Sequence, residues 1–470
     1  MHRATPTTTD RRTLLKTAAC GFGHLALAGL AQPAAASGIP NLHPKGTHFA
    51  PRAKRVIFIF MQGGPSQVDT FSYKPQLEAD SGTEKTFYNA RSREISKHTL
   101  QKSLWEFKQH GQSGAYVSSI FPNIAQHVDK LCFIHSMHTE GVAHGPATLF
   151  MHTGATNLIR PSMGAWVSYG LGTENNNLPS FVTLNPPWTK GGPRNYGNGF
   201  LPTVFQGTVI GRAGQPADKA TIKNIVNHQQ PKDQEAQLAF LQSLNQEQAH
   251  GREDDYELQA TIESYELAYR MQMHAPALTE LDGESDATKA LYGIDEKHTN
   301  DFGRQCLQAR RMAEAGVRYI QVNYSDNGAT PRWDQHSNMP KHAEHARATD
   351  KPVAGLLADL HQRGLLEDTL VWWGGEFGRT PFTQNKDGRD HNPRGFTVFL
   401  AGGGVKPGLS YGQTDEYGYE AVEDKVHMHD LHATVLHLLG LDHERLTYQY
   451  AGREFRLTDV YGNVVHDILA

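Results

Sequence analysis

Six short runs of β-branched and aromatic residues, each closing on a loop of Gly, His, Asp or Asn, constrain this chain more than any other feature. They are Val56–Met61, Leu131–Met137, Phe181–Leu184, Tyr319–Tyr324, Thr369–Trp373 and Phe396–Ala401, and each reads as a strand. The first and fifth are nearly unbroken apolar, as expected of strands covered on both faces. Helical periods fall between them at about Gln234–Leu244, Tyr256–Met273, Gly303–Ala315 and Pro352–Arg363. Alternating strands and helices predict an α/β fold, with a largely parallel sheet between helices on both sides. A length of 470 residues allows one large α/β domain, or two to three smaller ones.

Two stretches do not fit the alternation. Pro186 to Lys219 is rich in Gly, Pro and Asn and predicts a long loop. Gln229–Lys297 is polar and helical and reads as a cap, so an insertion is expected at about residues 186–300 of a domain spanning 37–470. Residues 1–36 read as an export signal. Arg11-Arg12 sits in a twin-arginine pattern, a mostly apolar stretch runs from Thr17 to Ala31, and Ala34-Ala35-Ala36 offers a cleavage site. The expected location is therefore periplasmic or extracellular. No other stretch approaches 18 consecutive apolar residues, so no membrane span is expected once the signal is removed.

Composition narrows the chemistry. A formal net charge of −4 provides no basic face for nucleic acid, and none is expected as a partner. Three cysteines exclude a disulfide scaffold and a zinc site of four thiolates. The 26 histidines are a first hint of metal binding.

Ligands of open α/β sheets bind beyond the carboxyl ends of the strands. Four such ends carry acids and imidazoles. Asp69 follows the first strand and His144 the second, across a short loop. Asp334 and His336 follow Tyr324, and Glu376, Arg379 and His391 follow Trp373. Carboxylates and imidazoles without thiolate suit a divalent metal, with zinc, calcium and manganese all open. Arg379 could grip a phosphate or sulfate in a two-pronged fork. Each residue also has a plainer reading. Asp69 fits a turn or cap, Glu376 a charged strand end, His391 a turn paired with Asp390, and Arg379 a surface ion pair. The histidines of the run ending at Gly440, from His427 to His437, read mainly as core or surface residues.

Four motifs are shared with one family. Gln62-Gly63-Gly64-Pro65-Ser66-Gln67-Val68-Asp69-Thr70, Trp333-Asp334-Gln335-His336, Gly375-Glu376-Phe377-Gly378-Arg379-Thr380-Pro381 and Gly388-Arg389-Asp390-His391 resemble domain-of-unknown-function family 1501, as does the tail from Asp430 to His443. The resemblance covers nearly all of the mature chain. It implies the alkaline phosphatase-like superfamily, which includes sulfatases, phosphodiesterases and phosphomutases. The implied fold is a three-layer α/β sandwich around a largely parallel, mixed sheet, with a divalent metal site. By that resemblance Asp69, Asp334, His336, Glu376 and His391 are the metal ligands. Glu376-Phe377 replaces the usual Asp-His pair, and His144 stands where a sulfatase or phosphatase has its nucleophile. His144 could then attack directly, bind metal, or leave the attack to water.

The leading expectation is an exported metal-dependent hydrolase of phosphate or sulfate esters, acting on a small-molecule or polysaccharide ester with His144 and Arg379 as catalytic groups. Two rivals remain open. One is a secreted metal- or ligand-binding protein that keeps the fold without catalysis, and the other an unorthodox carbohydrate sulfatase.

Overall fold

The computed structural model describes residues 42–222, 231–250 and 256–470. The proposed export signal lies outside the described residues. Eleven strands frame the site: β1 Arg55–Met61, β2 Leu131–His138, β3 Phe181–Leu184, β4 Thr208–Ile210, β5 Tyr319–Tyr324, β6 Thr369–Gly374, β7 Gly378–Gln384, β8 Gly388–Asn392, β9 Phe396–Ala401, β10 Leu409–Tyr411 and β11 Val426–His427. The helices that matter for it are α1 Gln67–Thr70, α2 His144–Thr153, α3 Met163–Leu171, α4 Pro231–Ala249, α5 Tyr256–Thr279, α6 Asn300–Glu314, α7 Lys341–Gln362 and α8 Met428–Leu438.

The central sheet has nine strands in the order β10-β2-β9-β6-β1-β5-β3-β4, with β11 also pairing to β2. All run parallel except β9, which is antiparallel to β6 and to β2. The exception has a simple cause. From β6 the chain makes only the β7–β8 hairpin before it returns as β9, and a parallel return needs a longer crossover. Every residue of β1, β5, β6 and β9 is buried, so both faces of the sheet are covered and the fold is α/β in three layers. Trp373 of β6 stacks on Phe399 of β9 with centroids 5.2 Å apart, and Phe58 of β1 stacks on Trp372 at 4.0 Å. Ring pairs at these separations add to the area buried.

The structure differs from the sequence reading in three places. The stretch after Pro186 is not wholly loop, because it returns β4 to the edge of the sheet beside β3. Three residues are too few to show a period. Helix α7 begins at Lys341, eleven residues before Pro352, which lies inside it. Proline ordinarily marks a helix start because it lacks an N–H. The residues after Trp373 are not loop either, since β7 and β8 pair as a hairpin with Arg379 opposite His391. Helices α4 and α5 fall where helical segments were expected. Among the described residues no helix is long and apolar enough to cross a membrane.

Candidate metal centre

The loop after β1 turns sharply at Gly63 and Gly64, whose φ angles are 111° and 75°. These angles suit glycine alone. Gly63 also has no room for a side chain, since a Cβ there would press on the backbone nitrogens of Trp333 and Asp334. That close approach seats the segment after β5, and the Trp333 N–H donates to the Gln62 carbonyl at 3.1 Å. Asp334 is thereby held beside the end of β1. His144 is the first residue of α2, and His391 lies on β8.

Three imidazoles meet at one carboxylate oxygen. Asp334 Oδ1 lies 3.1 Å from His144 Nε2, 2.8 Å from His336 Nε2 and 3.3 Å from His391 Nε2. The Nε2 atoms of His336 and His391 are themselves only 3.1 Å apart. Arg379 Nη2 approaches the same oxygen to 2.7 Å. Donor atoms of His144, Asp334, His336 and His391 all lie within 4.8 Å of one another.

The far side of each ring fixes its tautomer. His144 Nδ1 donates to Glu376 Oε1 at 2.7 Å, His391 Nδ1 donates to the Val142 carbonyl at 2.9 Å, and His336 Nδ1 meets Gln384 Oε1. Carboxylate and carbonyl oxygens only accept, so each Nδ1 carries the hydrogen and each neutral ring turns an Nε2 lone pair inward. His144 Nε2 is buried and has no hydrogen-bond partner among the described residues, its approach to Asp334 being at the wrong angle. Two lone pairs facing each other at 3.1 Å repel unless a cation or a proton lies between them. Three imidazoles and a carboxylate therefore fit a divalent first-row metal.

Electrostatics keep Asp334 ionised and draw positive charge toward it. Burial by itself would raise the Asp334 carboxyl, but the three imidazoles and the Arg379 guanidinium hold it well below the usual carboxylate range. Burial pulls His144 down, yet Asp334 and Glu376 outweigh it and raise the ring. Burial pushes His391 down to about 4, with Asp334 acting against the shift. His336, at 26% exposure, is the member of the cluster that faces solvent most.

The remaining residues singled out in the sequence sit around this cluster. Glu376 lies behind His144, where its two carboxylate oxygens also accept from the Gly63 N–H at 3.0 Å each. Asp69 is not part of the cluster. It is fully buried, pairs with Arg389 Nε at 2.7 Å and accepts from the Ser66 hydroxyl. Arg379 is fully buried as well, and its guanidinium is held by the carbonyls of Gly63, Gly64 and Arg389 besides Asp334. A guanidinium engaged in this way orients Asp334 and is not presented to a substrate. Gln384, which orients His336, gave no sequence signal, because a glutamine in a hairpin has none of its own. Cys132 and Cys306 are both buried and free.

A family model described as "Protein of unknown function (DUF1501)" matches residues 53–469. The chain belongs to this family. No curated protein matches the sequence. Several solved structures share a distant likeness to this DUF1501 chain. The lipoteichoic acid synthase LtaP from Listeria monocytogenes is 9% identical with a TM-score of 0.38, covering 89% of this chain and 78% of its own. The phosphonate monoester hydrolase SpPMH from Silicibacter pomeroyi is 10% identical with a TM-score of 0.38, covering 88% and 76%. The PsFucS1 sulfatase from Pseudoalteromonas sp. is 13% identical with a TM-score of 0.35, covering 84% and 69%. Likeness at this level decides nothing about chemistry.

Proposed function

We propose that this DUF1501 protein is an exported, metal-dependent hydrolase of phosphate or sulfate esters. The observation that carries the reading is the convergence of three Nε2 lone pairs on Asp334 Oδ1, each ring locked from behind by an oxygen acceptor. Three imidazoles favour zinc or manganese over calcium, which takes oxygen ligands. Such an ion supplies polarisation of a phosphoryl or sulfuryl oxygen. Glu376 holds the His144 tautomer, Arg379 holds Asp334 ionised, and substrate approaches over His336. The cluster itself contains neither hydroxyl nor thiol, so water is the attacking group and His144 serves as a ligand rather than as the nucleophile. Export rests on the Arg11-Arg12 signal, and cell fractionation tests it.

A second reading, a metal-binding protein without turnover, is favoured by one feature. Four protein donors fill a tetrahedral shell, whereas catalytic zinc sites usually keep one position open. Assays with p-nitrophenyl phosphate and p-nitrophenyl sulfate separate the two readings. The hydrolase reading expects turnover that a chelator removes, added metal restores and His336→Ala abolishes. Bound metal with no turnover of either ester would leave the binding reading.

A further inference from the structure

The Nε2 edge of His336 faces the cluster, and its Nδ1 edge faces outward toward a cation. Asp390 Oδ1 lies 3.8 Å from His336 Nδ1 and 3.0 Å from Arg91 Nη1, so one carboxylate oxygen separates the arginine from the ring. Arg91 stands at the tip of a hairpin whose strands, Glu84–Asn89 and Glu94–Thr99, pair antiparallel. The tip is a built turn, because Asn89 Oδ1 accepts from the Arg91 and Ser92 N–H groups at 2.9 and 3.1 Å. The hairpin is laid against β7, where His98 stacks on Phe382 with centroids 4.1 Å apart and Leu100 bridges to the same residue.

Asp390 engages only one nitrogen of this guanidinium. The Arg91 side chain is 51% exposed, and its Nε and Nη2 have no partner among the described residues. An ion pair this exposed adds little to folding. The free Nε–Nη2 edge presents two parallel donors, the fork that matches the oxygens of a sulfate or phosphate. Two further cations stand at the neighbouring tips. Arg93 is exposed on the same turn, and Lys386 is exposed at the turn of β7–β8, two residues after the Gln384 that meets His336. Residues 84–110 hold six lysines and arginines against three glutamates, in a chain of net charge −4. Positive charge gathered on one side of a site raises the local concentration of anions.

The ring edge that Arg91 flanks points away from the cluster. The guanidinium therefore stands beyond a group held at the cluster and meets that group's neighbour. We propose that Arg91 is a specificity-determining residue that grips a second anionic group of the substrate, which is a polyanion carrying several sulfate or phosphate groups. The inference rests on the hydrolase reading for the group attacked, and on the hairpin alone for the second group.

The test is calorimetric titration of the purified wild type, Arg91→Ala and Arg91→Lys with sucrose octasulfate, inositol hexakisphosphate, inorganic sulfate and inorganic phosphate. Metal content of all three proteins and turnover of p-nitrophenyl phosphate and sulfate by the wild type are measured beside it. The expected result is that at least one polyanion binds the wild type about tenfold or more tightly than the simple anion of its kind. Arg91→Ala should lower that affinity about tenfold, Arg91→Lys should lower it less, and both should keep the metal content of the wild type. The polyanion preferred distinguishes sulfate from phosphate. Arg91 is exposed, so its replacement leaves the core intact. Polyanions bound no better than simple anions, or bound by Arg91→Ala as by the wild type, overturn the proposal. Loss of metal from Arg91→Ala also overturns it, since the arginine would then serve to support His336. Polyanion binding that depends on Arg91, with neither p-nitrophenyl ester turned over, supports the anion site and overturns the hydrolase.

Discussion

Two aspartates that look alike in the sequence do different work. Asp334 gathers three imidazoles, whereas Asp69 neutralises Arg389 in the interior. Removing one partner of a buried ion pair costs about 3–5 kcal/mol, because the other charge is left uncompensated. Asp69→Ala is therefore expected to lower the unfolding free energy by that order, as read by urea titration, and an unchanged midpoint would contradict the assignment. Glu376 stands behind the cluster, bonded to His144 Nδ1. Glu376→Gln should weaken metal binding about 10–100-fold, as changes behind a ligating histidine do, with the fold retained. Competition with a chromogenic chelator measures it. The sequence could not separate these roles, because the partner of Asp69 lies 320 positions away and nothing local marks it. Nor could it show that Arg379 is enclosed by backbone carbonyls.

At the scale of elements, the strand and helix alternation was legible and the hairpin was not. The apolar runs at β1, β3, β5, β6 and β9 announce themselves because strands covered on both faces tolerate little else. The polar hairpin Gly378–Asn392 carries no apolar alternation, yet it delivers Arg379, Gln384 and His391 to the centre. Its β8 strand packs tightly against His336, where a Cβ on Gly388 would overlap the His336 backbone. Gly388→Ala should accordingly displace His336 and reduce metal affinity, although no ligand is altered. Elemental analysis of the purified variant checks this, and full metal content would contradict it.

The whole molecule carries a pH dependence that does not need the metal. His152, His429 and His432 are buried where α2 meets α8, and burial pushes them down to about 3, 3 and 4. Burial keeps the His432 ring neutral, although Nε2 donates to the Met151 carbonyl at 2.8 Å, a bond that acts against the shift. An unfolded histidine titrates near 6.5, so the unfolded chain binds more protons below that pH. The stabilisation is thus complete above about pH 6.5 and is lost as the pH falls toward 4. The loss amounts to about 1 kcal/mol per histidine over the first pH unit below 6.5. Urea midpoints of chelator-treated protein at pH 7.5 and 5.5 should show the fall. Equal midpoints would contradict it.

The proposed metal centre is assembled from α2, β8 and the segment after β5. The most direct measurement is metal content by elemental analysis of wild type, Asp334→Asn and Asp69→Asn, each purified without chelator. About one equivalent in the wild type and in Asp69→Asn, with none in Asp334→Asn, is the predicted result. No metal in the wild type, or equal metal in all three, would contradict it.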